Sequence, residues 1–150
     1  MYKRYESFTL LISRIAKSVL KIKMEEMTSQ GLKSSHVSCL YYLYKENKPL
    51  TATELSKLCE EDKAAISRTI DYLSKNNYIV CEKKFEKAYR SPLILTDKGI
   101  EIAKIINEKI NQIVNVITNG LDENEISIMY KCLTTISDNL DKFCLEQYRR

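Results

Sequence analysis

Between Lys63 and Lys98 the sequence carries eight basic and four acidic residues, while the rest of the 150-residue chain holds 16 of each sign. The formal excess of +4 therefore sits in one segment. Cations concentrated in this way suit a polyanion, because phosphates neutralised by Lys and Arg release their condensed counterions. Extending the window back to Glu54 reduces the excess to +1, so charge carries weight only together with spacing. Within the segment, Ile66, Ile70 and Leu73 recur at steps of four and three, the repeat of a helix that packs one face inward. The opposite face then presents Lys63, Ala64, Ser67, Arg68, Asp71 and Lys75. Small residues near the helix start let a backbone approach a major groove, Ser67 can donate to or accept from base edges, and Arg68 can reach guanine or phosphate. Lys63, Ala64, Ser67, Arg68 and Thr69 are the candidate base-facing set. An ordinary amphipathic surface helix is the competing interpretation.

Other chemistry has less to work with. His36 is the single histidine and there is no Trp, so a Ser-His-Asp or Cys-His system would have to use that one residue, and a histidine-rich metal cage is excluded. No GxGxxG, P-loop or nucleophile elbow occurs, and no carboxylate pair stands apart from helix caps. Neither an enzyme nor a bound metal or cofactor is expected. The five cysteines, at 39, 59, 81, 132 and 144, include no CxxC pair and sit among apolar residues. They read mostly as small buried core residues, with one redox-sensing thiol as the alternative. No apolar run approaches the roughly 18 residues needed to span a bilayer, so a cytoplasmic protein with no membrane partner is expected.

A composition with 44% hydrophobic and 29% charged residues belongs to a folded globular chain, and only 3 Gly and 2 Pro disfavour an all-β architecture. Apolar residues at 8, 12, 15, 19 and 22 predict a long first helix over about 5–29, stopped by Gly31. A second helix takes Ser34 or Ser35 as its N-cap and carries Val37, Leu40, Tyr41 and Tyr44 inward until Asn47, Lys48 and Pro49. Thr51-Ala-Thr-Glu54 has the form of a capping box and opens a short helix through Cys59. Glu60 to Asp62 cap a fourth helix over 62–75. The β-formers of 78–83 and 90–96 predict a hairpin, and Pro92, which cannot donate to a ladder, requires an open side as in a two-stranded ribbon. Two long helices follow, the last capped by Asp122 and Glu125 and bearing Ile126, Met129, Leu133, Ile136, Leu140 and Phe143 in a heptad-like repeat. The fold class is mainly α with a small β-hairpin: a winged helix-turn-helix lobe over about 34–98, flanked by long helices over 1–30 and 99–150, in one domain.

Leu55-Ser-Lys-Leu58, Asp62-Lys-Ala-Ala-Ile-Ser-Arg-Thr-Ile-Asp-Tyr-Leu73, Asn77-Tyr-Ile79 and Leu95-Thr-Asp-Lys-Gly99 together resemble the MarR family of bacterial winged-helix transcriptional regulators. The likeness extends over nearly the whole chain, because the outer helices match in number, length and order. It implies a homodimer held by the first and last two helices, with two recognition helices in successive major grooves of a pseudo-palindromic operator of double-stranded DNA. The wings would reach flanking minor grooves, placing Lys83, Lys84, Lys87 and Arg90 near backbone or minor groove. Family wings usually carry Asp-x-Arg at the tip, where this chain has Phe85-Glu86-Lys87 in a shortened loop. A lysine there supplies charge without a planar guanidinium fork.

The resemblance further implies a repressor released by a small aromatic or lipophilic effector, bound between the dimerisation helices and the DNA-binding lobe. Met24, Met27, His36, Tyr41 and Tyr44, with Tyr42 beside them, are the candidate pocket residues; tyrosines and methionines at helical spacing are more often core or interface, and a lone His near a helix start is more often a capping-region or surface residue. A peroxide-sensing subclass carries its cysteine in the first helix, where this chain has none. Cys39 or Cys81 is the alternative thiol of a redox-sensing regulator. A helical dimeric adaptor with a degenerate winged helix is the competing class.

Overall fold

A computed structural model describes residues 2–28, 31–82 and 91–148, without the side chains of several residues near the end of the first helix. The element order is α1 (Tyr2–Thr28), α2 (Ser34–Glu46), α3 (Ala52–Cys59), α4 (Lys63–Lys75), β1 (Ile79–Cys81), β2 (Leu93–Leu95), α5 (Asp97–Ile117) and α6 (Glu123–Gln147). Two units make up the chain, residues 1–109 and 110–150, and their boundary falls inside α5.

Helix boundaries follow from local chemistry. Thr51 Oγ1 accepts from the Glu54 backbone N–H at 3.2 Å, and Glu54 Oε2 accepts from the Thr51 N–H at 2.8 Å, closing the box that starts α3. The Thr51 hydroxyl also donates to that carboxylate, and these hydrogen bonds hold Glu54 below the ordinary carboxylate range. Thr51→Ala should lower stability by about 1 kcal/mol in chemical denaturation; an unchanged midpoint would show that α3 is held by packing alone. At the start of α6, Asp122 Oδ1 accepts from Glu125 N–H and Glu125 Oε2 accepts from Asp122 N–H, both at 2.9 Å. Asn47 ends α2 with φ 50°, a left-handed conformation that Asn tolerates better than most residues.

The first unit is built on a core of Leu40, Leu50, Leu55, Ile66, Leu73 and Ile79, all at most 1% exposed. These come from α2, the α2–α3 connection, α3, α4 and β1, so the helix-turn-helix and the base of the ribbon share one apolar centre. β1 and β2 pair antiparallel with Ile79 opposite Leu95, Val80 opposite Ile94 and Cys81 opposite Leu93. Both strands are shorter than the β-forming runs suggest. The far edge of β2 is also partly occupied: Leu50 and Leu93 exchange backbone hydrogen bonds at 3.1 and 2.8 Å. Pro92, next to that bridge, uses only its carbonyl, which accepts from the Glu82 N–H at 2.7 Å.

In the second unit α6 has no buried residue, and Leu133, Leu140 and Phe143 of its heptad-like stripe are 42%, 51% and 52% exposed. Along α1, Phe8, Leu11, Ile12 and Ile15 are exposed as well. The same openness overturns the expectation for the cysteines. Only Cys39 is buried; Cys59 is half-buried, and Cys81, Cys132 and Cys144 are exposed. Apolar neighbours in sequence bury a thiol only where another element covers that face.

Candidate nucleic-acid interface

The recognition surface begins at a three-residue turn. Glu60 adopts a left-handed conformation, φ 53°, and its N–H donates to the Lys57 carbonyl, while Glu61 N–H donates to the Ser56 carbonyl at 3.1 Å. Ser56 Oγ donates back to the Glu61 carbonyl, which pins the turn from its other side. Asp62 then caps α4, its Oδ1 accepting from the Ala65 N–H at 2.8 Å. These bonds fix the angle at which α4 leaves α3. Lys63, Ala64, Ser67 and Arg68 are all exposed on it.

Thr69 is a correction. It is 3% exposed, against the exposed Lys63, Ala64, Ser67 and Arg68, and reaches only the floor of the concavity between α4 and α2. Standing three residues after Ile66 and four before Leu73, it lies on the inward stripe, and Ile70, expected there, is only half-buried. The polar name of the residue hid a compact side chain that fits the core.

Two concavities flank α4. A groove of about 500 Å3 runs on the ribbon side, bounded by Lys63, Ser67 and Asp71 of α4, by Ala52 and Thr53 at the start of α3, and by Ser91 and Leu93. A smaller one of about 300 Å3 lies towards α2, where Ala65, Arg68, Thr69 and Tyr72 of α4 face Lys33, Ser35 and His36. Lys33 and Ser35 were missed by sequence reasoning. Their signal was faint: a basic residue and two serines at a helix start, next to a helix whose position only the fold reveals. Lys98, counted among the basic residues of the segment, is engaged elsewhere; its Nζ donates to the Asn76 carbonyl at 2.9 Å and sits 4.3 Å from the centre of the Tyr78 ring. Lys83, Lys84, Lys87 and Arg90 lie outside the described residues.

His36 has a structural position. Its Nδ1 accepts from the Lys33 backbone N–H at 3.0 Å, capping α2, and its ring stacks on Tyr72 of α4 with centroids 4.1 Å apart and planes within 4°. Burial, and then the Lys33 charge, lower its pKa from the ordinary 6.5. Only the unprotonated nitrogen can accept that bond, so His36 stabilises the fold above about pH 6.5 and loses this contribution as pH falls through its lower folded value. The thermal midpoint of the wild type should therefore fall more steeply on acidification below about pH 6.5 than that of His36→Asn, which keeps an acceptor without titrating. Parallel pH profiles would remove His36 from this role.

Among the other pocket candidates, Tyr41 and Tyr44 are not gathered around His36. Tyr41 and Tyr44 are half-buried on α2 and are not walls of the cavity that His36 lines; Tyr41 packs edge-on to Tyr42, ring centres 5.3 Å apart, beneath Lys45. The Met24 and Met27 side chains lie outside the described residues.

A helix-turn-helix, its second helix exposing Lys, Ser and Arg, followed by an antiparallel ribbon, defines a winged helix-turn-helix. Residues 36–114 match the family of winged helix DNA-binding domains, and the chain belongs to that family. Among solved structures it is similar to the MepR–DNA complex of S. aureus, at 18% identity and TM-score 0.76, covering 89% of this chain and 97% of that one. A MarR protein from Peptoclostridium difficile superposes with TM-score 0.76 at 23% identity, covering 93% and 90% of the two chains. A MarR family regulator from Neisseria meningitidis gives 0.77 at 16% identity, covering 93% and 97%. The fold is therefore the one these regulators share. No protein of curated function gives a significant sequence match. No described helix is long and apolar enough to cross a membrane.

Proposed function

We propose that the protein is a sequence-specific transcriptional regulator that binds a pseudo-palindromic operator as a homodimeric repressor and is released by a small aromatic or lipophilic effector. The observation that carries the DNA-binding part is α4, a capped helix of a winged helix-turn-helix that projects Lys63, Ala64, Ser67 and Arg68 away from the core. The structural likeness to MepR bound to DNA supports it. The wing would add Lys83, Lys84, Lys87 and Arg90. The repressor role and the effector rest on the resemblance to MarR regulators, with the tyrosines of α2 as the aromatic side chains on offer.

Dimerisation is supported by the large apolar side chains that α1 and α6 leave open to solvent, because extended exposed apolar surface marks an interaction site. Full burial of a Leu or Phe side chain is worth about 1.5–3 kcal/mol. Leu140→Asp with Phe143→Asp should therefore convert a dimer into monomers in sedimentation velocity and weaken operator binding with it. A dimer that survives both changes would place the contact elsewhere.

Fluorescence anisotropy against duplex DNA from upstream of the protein's own gene, beside a scrambled duplex and across a salt series, tests the reading as a whole. Specific binding that weakens steeply with salt is expected. No binding to either duplex at low salt would favour the adaptor.

A further inference from the structure

Cys39 of α2 and Cys59, the last residue of α3, are 20 positions apart in sequence, yet their sulfurs lie 3.8 Å from each other within hydrogen-bonding distance. We propose that this pair is a dithiol oxidation site, closed to a disulfide by hydroperoxides, that switches the helix-turn-helix out of its DNA-binding geometry. The consequence for DNA rests on the function proposed above; the dithiol chemistry does not.

The two thiols are unequal in a way that assigns their roles. Cys39 is fully buried, and the hydrogen bond to Cys59 together with burial pushes its thiol far up. Cys59 is half-buried at the surface end of α3, and the same hydrogen bond lowers its pKa against the opposing effects of burial and Glu61. Cys59 is thus the sulfur that an oxidant can reach, while burial disfavours the thiolate of Cys39. The Cys59 thiolate attacks one oxygen of the hydroperoxide and the O–O bond breaks. The distal fragment leaves as an alcohol, or as water from hydrogen peroxide, and Cys59 becomes a sulfenic acid. The Cys39 sulfur, giving up its proton, then attacks the Cys59 sulfur; the S–O bond breaks, water leaves and the disulfide forms. In total the hydroperoxide is reduced by two electrons and two thiols are oxidised to one disulfide.

Geometry supplies the switch. A disulfide bond is about 2.05 Å long, so the sulfurs must close by about 1.7 Å. Cys59 immediately precedes Glu60, whose left-handed conformation, together with the Ser56 and Lys57 hydrogen bonds, sets the exit of α4. Drawing the end of α3 towards α2 pulls on this turn. The recognition helix is the next element along the chain.

The test uses full-length protein with Cys81, Cys132 and Cys144 changed to Ser, so that only the pair remains. Treatment with hydrogen peroxide should remove the mass of two hydrogen atoms and yield one peptide pair linked through Cys39 and Cys59 within a single chain. Adding Cys59→Ser should abolish the mass loss, and Cys39→Ala should let Cys59 gain oxygen instead. Cys59 is half-buried, so its substitution keeps the test valid even if the core variant fails to fold. A mass unchanged by peroxide, a link between chains, or a disulfide that still forms without Cys59 overturns the site. In the DNA arm, oxidation should weaken binding to the upstream duplex by about 10-fold or more, reversed by dithiothreitol and absent in Cys59→Ser. A disulfide that forms without changing affinity overturns the switch. Reduced protein that binds no duplex is a failure of the DNA-binding function, and the mass measurement then decides the dithiol by itself.

Discussion

Gly99→Ala is expected to lower the stability of the protein by about 2 kcal/mol or more, enough to move the thermal midpoint by several degrees. A Cβ built on Gly99 would lie 2.0 Å from the Tyr78 carbonyl oxygen and 3.2 Å from Leu95 Cδ2. The carbonyl cannot withdraw freely, because it accepts from the Thr96 backbone N–H at 3.1 Å, and the Thr96 hydroxyl holds the adjoining Asn77 carbonyl at 2.6 Å. Thr96 Oγ1 in turn accepts from the Gly99 N–H at 3.0 Å. The start of α5 is thus fastened to the start of the ribbon through a contact that only a residue without Cβ permits. Alanine's higher helix propensity, worth at most about 1 kcal/mol, offsets part of the clash and does not cancel it. Gly120→Ala is the useful comparison. Gly120 has φ +89°, but a Cβ added there would meet nothing within 4 Å, so the cost is conformational alone, about 1 kcal/mol. Equal midpoints for the two variants in differential scanning calorimetry would show that close approach at Gly99 is not what that glycine provides.

The Thr96–Gly99 stretch shows how far the sequence can be read. As a string, Leu95-Thr-Asp-Lys-Gly99 marks a helix start and resembles a family pattern; the reason for the glycine appears only when Tyr78, 21 positions earlier, is brought against it. Three helix caps were legible because their physics is local, while α2 is capped at Lys33 and not at Ser34 or Ser35. Thr51 with Glu54 and Asp122 with Glu125 are where their spacing puts them, and Asp62 caps α4. Properties that depend on a third element were not. Thr69 turned inward because its angular position between Ile66 and Leu73 outweighed its polarity. Four of the five cysteines fell outside the core because their helix and strand faces are not covered within one chain. His36 was readable as a pocket residue by type or as a capping-region residue by position, and it stands in the α2 cap; its stack on Tyr72 needed α4 alongside. The exposed side of α4 was legible from periodicity alone; what lies beside it, Lys33 and Ser35, was not.

The exposed side of α4 also carries the second large effect. Arg68→Ala should weaken binding to a specific operator by about 1–3 kcal/mol for each half-site, and a homodimer loses the contact twice, so a drop of about 30-fold or more in affinity is expected. Arg68 is exposed, so its removal should leave the thermal midpoint nearly unchanged and separate a binding defect from a folding one. Lys63→Ala should behave differently. Lys63 sits at the first position of α4, on the flank that opens to the groove between α4 and the ribbon, and a lysine there acts as a point charge towards phosphate. Its loss should weaken specific and scrambled duplexes alike and reduce the slope of log affinity against log salt by about 1 per contact. Arg68→Ala should instead narrow the gap between the two duplexes if the guanidinium reads a base, because the lost hydrogen bonds discriminate among base edges. Anisotropy titrations of both variants at several salt concentrations would resolve the two roles. If neither variant moves affinity or slope, α4 is not the surface that meets DNA, and the open stripes of α1 and α6 would become the place to look for a protein partner.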